Sequence, residues 1–167
     1  EARAHLEAAV RLGDTTAATQ SDLGAVMMAS GLVEDAVTHF RRAATRTPTD
    51  EVHHFNLGTA LTAAGRAREA EAAFRRALDV NPDFVDAHVN LGVALLTRQP
   101  AQAVPHFERA ARLASDSPVM HTNLAGALIA AGRPRDALPA IRRALALDPA
   151  YAPALDTQRR LAAAGIR

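Results

Sequence analysis

Residues 51–84 read EVHHFNLGTALTAAGRAREAEAAFRRALDVNPDF, and the rest of the chain repeats this pattern. The motif His-x-Asn-Leu-(Gly or Ala) begins at His54, His88 and His121, at spacings of 34 and 33 residues. Each copy is followed by A-x-x-x-(F/I)-x-x-A, and a more diverged copy precedes the first of them. Self-similarity at this period indicates a repeat protein, in which each repeat is one supersecondary unit.

Each repeat contains two segments of about a dozen residues with apolar side chains at i, i+3, i+4 and i+7, which favours a pair of amphipathic helices. A left-handed C-cap is expected at Gly31, Gly65 and Gly132, just past the first helix. The third repeat is one residue short and has Gln99-Pro100 instead, so we expect a tighter turn there. The predicted boundaries are a second helix of a truncated repeat at 1–16, four repeats at 17–50, 51–84, 85–117 and 118–151, and a C-terminal capping helix at 152–167.

Composition limits the classes of protein. With 49% hydrophobic and 22% charged residues, the 167-residue chain can bury a core. Its formal net charge of +1 gives no bulk attraction to nucleic acid or membranes, and its lack of cysteine excludes disulfides and thiolate metal sites. Many alanines and arginines favour helix, although a GC-rich, bacterial-like genome would produce the same bias. No apolar run approaches the ~20 residues of a membrane span.

These offsets resemble the tetratricopeptide repeat, whose 34-residue signature pairs L-G in the first helix with A-x-x-x-F and a closing proline in the second. Proline closes three of the repeats, at Pro48, Pro82 and Pro149. The resemblance covers residues 1 to about 151. It implies an all-α fold, a right-handed α-solenoid of tandem helix-turn-helix repeats whose first helices line a concave groove.

The helical period assigns residues to the core or to the groove. Counted from the first residue of a repeat, places 2, 5, 6, 9 and 13 share one face at ~100° per residue, and places 4, 7, 8 and 11 lie opposite. Leu57, Gly58 and Leu61 occupy places 7, 8 and 11, which makes that face the core. The other face is mostly apolar and lacks arginine. The candidate peptide-binding residues are Asn56, Asn90, Asn123, Asp22, Phe55, Val89, Val93, Thr59 and Thr122.

Asparagine recurs at place 6 as Asn56, Asn90 and Asn123. A carboxamide both donates and accepts, so it can bond the N–H and C=O of an extended backbone. The pattern is similar to the asparagine ladder of the superhelical repeats in O-linked sugar transferases and of the importins' peptide groove, which implies that these amides hold a peptide main chain. The alternative is that they bond one another or a neighbouring helix. The lack of basic groove residues argues against the carboxylate clamp of chaperone-binding members.

Histidine and arginine offer further candidate sites. His54, His88 and His121 occupy place 4 and are expected to lie one repeat apart, roughly 10 Å, too far to share a metal ion. We therefore assign them to packing and predict no metal site. Arginine pairs in the second helices favour a solvated face, with an acidic partner or RNA backbone as the alternative. Because no aromatic residues are interleaved to stack bases, we predict no nucleic-acid partner.

The sequence contains no nucleophile with its base, phosphate-binding glycine loop or carboxylate pair. We therefore predict a non-catalytic scaffold that binds a protein or peptide partner, with no cofactor and no membrane insertion. Two alternatives stay open: a substrate-recruitment arm of a larger enzyme such as a glycosyltransferase, and a module that forms a homo-oligomer through exposed repeat ends. Since the chain begins with Glu1, we expect a longer protein, located in the cytoplasm or alternatively in the periplasm.

Overall fold

The structure, a computed structural model, describes Ala8 and residues 15–166, which contain α-helices and no strand. None of these helices is long and apolar enough to cross a membrane. The predicted helix at 1–16 lies almost entirely outside the described residues. The helices are α1 (Ala17–Ala29), α2 (Val33–Arg46), α3 (Glu51–Ala63), α4 (Ala67–Val80), α5 (Val85–Leu96), α6 (Pro100–Leu113), α7 (Pro118–Ala130), α8 (Ala137–Leu147) and α9 (Ala152–Ala163).

The chain divides into two compact halves, Glu1–Ala87 and His88–Arg167. In the N-terminal half α1 packs on α2, α2 on α3, and α3 on α4. In the C-terminal half α6 packs on α7, α7 on α8, and α9 on both α7 and α8. Within each half, the helices that contact one another mostly follow one another in sequence, as in an all-α solenoid of helix-turn-helix repeats.

A glycine of the first helix meets a phenylalanine of the second helix in each of the first three repeats. A Cβ atom built on Gly58 would lie 2.5 Å from the Phe74 ring, where carbon atoms cannot approach. The fourth repeat replaces this pair with Ala125 and Ile141, which are both buried. Glycine therefore recurs at place 8 because the aromatic ring occupies the space of its side chain.

The turn glycines confirm the expected helix ends. Gly31, Gly65 and Gly132 have φ angles of 74°, 72° and 74°, in the left-handed region that glycine adopts without strain. Ser117 caps the first helix of the fourth repeat, since its hydroxyl accepts a hydrogen bond from the Met120 N–H at 3.4 Å.

The expected tighter turn in the third repeat is wrong, because this turn is as long as those of the first two repeats. Helix α5 has 12 residues where α1, α3 and α7 have 13, while three residues separate it from α6, as in the first two repeats. The missing residue is thus taken from the helix. Gln99 adopts φ −144° and ψ 59°, outside the α region as the residue before proline requires, and Pro100 begins α6.

Candidate functional site

The candidate site lies on the first helices of the repeats, on the side given by places 2, 5, 6, 9 and 13, which we call the asparagine face. Asn56, Asn90 and Asn123 are half-buried on α3, α5 and α7. Hydrogen bonds among the described residues involve none of their carboxamides. Each amide is thus partly exposed and keeps its donor and acceptor groups for water or a ligand.

Large apolar side chains are exposed on the same face. Val52, Val93 and Val119 are exposed by 47%, 55% and 41%, and they are the large hydrophobic residues that the described part of the chain leaves exposed. Val93 was among the predicted binding residues. Val52 and Val119 share place 2 and were not among them, although the helical period sets them on this face. Val89, also predicted, is half-buried.

Phe55 belongs to an aromatic cluster in the N-terminal half. Its ring centroid lies 5.9 Å from that of Phe74 and 5.0 Å from that of Phe84. Phe55 is half-buried, so only part of its ring is available to a ligand. Phe84, which precedes α5, was missed because it lies outside the helical pattern. The cluster fixes an apolar surface one residue away from Asn56.

The predicted hydroxyl and carboxylate groups offer mainly acceptors. The Thr59 hydroxyl donates to the Phe55 carbonyl at 3.1 Å, and that of Thr122 donates to the Pro118 carbonyl at 2.8 Å. Both protons are engaged within the helix, which leaves oxygen lone pairs. Asp22 is exposed on α1. A ligand backbone would therefore find its donors on this face in the asparagine amides.

The site residues fall in both halves of the chain. The N-terminal half contributes Asp22 from α1 and Phe55, Asn56 and Thr59 from α3, and α1 contacts α3. The C-terminal half contributes Val89, Asn90 and Val93 from α5 and Thr122 and Asn123 from α7. Each half therefore presents at least one carboxamide beside an apolar surface.

The arginine pairs at 41–42, 75–76 and 142–143 lie on the second helices, and several arginines of the chain form ion pairs. Arg41 pairs with Glu69 at 3.1 Å, and Arg75 pairs with Glu71 at 2.9 Å. Arg66, which precedes α4, contacts both Glu34 at 3.0 Å and Glu69 at 2.8 Å. Hydrogen bonds from Arg66 are the main cause that lowers the pKa of the Glu69 carboxyl. Exposed pairs of this kind are typical of a solvated surface.

The histidines at place 4 form hydrogen bonds near their own helices. Nε2 of His54 lies 3.0 Å from the Pro48 carbonyl, and Nε2 of His121 lies 3.0 Å from the Ser115 carbonyl. Nδ1 of His88 lies 3.2 Å from Nδ1 of His106 on α6. Among residues 15–166 no three histidine, aspartate or glutamate side chains cluster to hold a metal ion.

Comparisons with known proteins agree with this architecture. Two family models, each described as tetratricopeptide repeat, match residues 55–118 and 94–161. No curated protein matches the chain in sequence.

Solved structures share the fold at low sequence identity. YrrB, described as a TPR protein with an unusual peptide-binding site, is 18% identical with a TM-score of 0.81, over 94% of this chain and 81% of that one. MamA is 19% identical with a TM-score of 0.81, over 88% and 86%. TTC0263, a thermophilic TPR protein of Thermus thermophilus, is 23% identical with a TM-score of 0.66, over 99% and 89%.

The matched models cover most of the repeats, and the helix pairs, turn glycines and Gly–Phe contacts follow the same period. The chain belongs to the tetratricopeptide repeat family.

Proposed function

We propose that the chain is a non-catalytic interaction scaffold that binds an extended peptide segment of a partner protein on its asparagine face. Asn56 in the N-terminal half, and Asn90 and Asn123 in the C-terminal half, bind peptide main chain through their carboxamides. Exposed valines beside them receive small or apolar side chains. The coarser role, a protein-interaction scaffold, is the one that the repeat family and its solved members support.

The observation that carries the proposal is that the three carboxamides are partly exposed and make no hydrogen bond with the described residues. An amide that joined neighbouring helices would have its partner within the fold, because buried polar groups are almost always paired. Amides left open to solvent exchange their water for a peptide N–H and C=O when a ligand binds. Each such bond contributes a net ~0.5–1.5 kcal/mol.

Apolar surface supplies the rest of the affinity. Val52 and Val93 are 47% and 55% exposed, and a side chain that covers them removes apolar area from water at roughly 25 cal/mol per Å². The rings of Phe55 and Phe84 hold a rigid surface beside Asn56. A ligand that fits this arrangement is extended and uncharged, with small or branched apolar side chains.

YrrB supports the class of ligand, since that protein is described as having a peptide-binding site on a similar fold. A shared fold does not identify the amino-acid sequence of the ligand, so binding peptides have to be found experimentally. Peptides of about a dozen residues displayed on phage can be selected on the full chain and their affinities measured by fluorescence anisotropy.

Photo-crosslinking tests where a selected peptide binds. A benzophenone side chain replaces Val93 on α5 in one variant and Gln102, an exposed residue of α6, in the matched control. We expect irradiation to crosslink the peptide to the Val93 variant only. Crosslinking at Gln102 but not at Val93 would contradict the proposed face.

A further inference from the structure

Two shallow pockets lie at equivalent places in the second and fourth repeats, on the side of the first helix opposite to the asparagine face. One, of 250 Å³, opens beside His54, and the other, of 360 Å³, opens beside His121. We call them the His54 pocket and the His121 pocket. At a constant spacing of 67 positions, four lining residues are identical in the two pockets: His54 with His121, Leu57 with Leu124, Leu61 with Leu128, and Ala73 with Ala140. Each pocket also has a carboxylate in its lining, from Glu69 or Asp136, and an arginine, from Arg76 or Arg143.

In the first and third repeats a histidine stands where Ala73 and Ala140 stand in the other two, directly before the aromatic residue of the second helix. Nδ1 of His39 lies 2.9 Å from Oε1 of Gln20 in the first repeat. In the third repeat His106 makes the corresponding contact with His88 at 3.2 Å. Gln20 and His88 occupy place 4, as His54 and His121 do. An imidazole from the second helix thus reaches the place-4 side chain in alternate repeats.

Burial follows the same alternation. Gln20 and His88 are buried, whereas His54 and His121 are half-buried. The place-7 leucines behave alike: Leu23 and Leu91 are buried where the histidine is present, and Leu57 and Leu124 are half-buried where alanine replaces it. The second and fourth repeats therefore lack a ring that the first and third provide from within the chain.

A histidine that can supply a hydrogen-bond acceptor lines each open pocket. The imidazole of His54 donates from Nε2 to the Pro48 carbonyl, so the neutral ring keeps an acceptor at Nδ1. His121 does the same with the Ser115 carbonyl. The contact between His88 and His106 demonstrates that a place-4 histidine can pair with a second imidazole through Nδ1.

We propose that the His54 and His121 pockets each bind a histidine side chain of a partner protein, whose ring N–H donates to Nδ1 of the pocket histidine. The ring covers Leu57 or Leu124, which are half-buried where the corresponding Leu23 and Leu91 are buried. This binding uses a different side of the first helices from the asparagine face, so it does not depend on the proposed peptide site.

Imidazole itself is the probe, followed by amide chemical shifts in NMR titrations. We expect saturable shifts at residues of both pockets with a dissociation constant of roughly 1–10 mM, the range for a ligand of about five heavy atoms. The same ring without a donor, 1-methylimidazole, should bind at least about twofold more weakly, since one hydrogen bond contributes ~0.5–1.5 kcal/mol. Linear shifts without saturation, or equal binding of both probes, would overturn the proposal.

A filled variant provides the matched control. Ala73→His with Ala140→His supplies the missing rings from the second helices, and we expect it to abolish the saturable shifts and to raise Tm. Arg68→His, an exposed change in α4 away from the pocket, should leave both unchanged. If the filled variant unfolds, His54→Leu with His121→Leu replaces it, and removal of the acceptors should abolish the shifts. Unchanged imidazole binding in the folded variant would refute the assignment.

A second copy of this chain is the other source of histidine. Sedimentation velocity of the wild type at increasing concentration separates the two sources, and we expect no association. Association that disappears in the filled variant would assign the pockets to self-assembly and overturn the partner protein as the source.

Discussion

Gly58 in α3 faces the ring of Phe74 in α4 so closely that a methyl group on Gly58 would lie 2.5 Å from it. Helix propensity alone would favour alanine at this position by up to ~1 kcal/mol. Overpacking a core typically costs ~1–3 kcal/mol. Since the Phe74 ring is buried in a packed core, we expect Gly58→Ala to lower the free energy of unfolding by about 1–2 kcal/mol in urea denaturation.

Gly126 is the matched control, because it lies within α7 with nothing within 4 Å of a Cβ built on it. Gly126→Ala should raise the free energy of unfolding by roughly 0.5–1 kcal/mol through helix propensity alone. Equal effects of the two substitutions would contradict the steric explanation of the repeated glycine.

The fourth repeat suggests a compensating pair, since it combines Ala125 with Ile141 in place of glycine and phenylalanine. We expect the double variant Gly58→Ala with Phe74→Ile to lose less free energy of unfolding than the two single variants lose together. The difference, which is the coupling energy, should be about 1 kcal/mol. Urea denaturation of the single and double variants measures this coupling. Strictly additive effects would mean that the two side chains do not compete for one space.

Glu69 should give the stability of the chain a dependence on acid pH. Its carboxyl pKa is held below the ordinary value of 4.5, first by hydrogen bonds from Arg66 and also by the charge of Arg41. A carboxyl with a lowered folded pKa stabilises the fold fully above its unfolded pKa, and this contribution is lost as the pH falls through the folded pKa.

We therefore expect the stability difference between wild type and Glu69→Gln to be largest above about pH 4.5 and to shrink at lower pH. Chemical denaturation at several pH values measures it. Because the pair is exposed, about 0.5 M salt should reduce the difference through screening. A difference that grows on acidification would contradict this role of Glu69.

Added metal should leave stability unchanged, because the place-4 histidines already bond to carbonyl groups or to another imidazole. A ligand that binds only the folded state raises Tm according to its affinity and concentration. We expect no shift on adding zinc or nickel at micromolar concentration in a thermal scan. A saturable rise of several degrees would show that histidines such as His88 form a metal site.

Much of the fold could be predicted from the sequence, because the repeat period indicates stacked helix pairs and each recurring glycine has a single physical cause. Gly65 marks a left-handed turn and Gly58 the place of an aromatic ring. The shortened third repeat was harder, since Gln99-Pro100 fixes the start of α6 but does not say whether the helix or the turn loses the residue. Only the helix bounds decide that.

The side-chain partners were less predictable. Gln20 and His39 are 19 residues apart, and they meet only because α1 packs against α2. The residue before the phenylalanine varies between histidine and alanine without changing the repeat signature, so the signature gives no sign of the open pockets. Likewise, the helical period sets Thr59 on the asparagine face but cannot tell that its hydroxyl proton is engaged with the Phe55 carbonyl.

The most direct test of the peptide-binding account is the double variant Asn56→Ala with Asn90→Ala, assayed for both stability and affinity for a selected peptide. Gln102→Ala with Gln158→Ala, which removes two exposed carboxamides from other helices, is the control. We expect the asparagine variant to bind about tenfold or more weakly, with its free energy of unfolding changed by less than ~0.5 kcal/mol. A destabilised variant that binds the peptide as tightly as wild type would instead assign the asparagines to the packing of the repeats and contradict the proposed function.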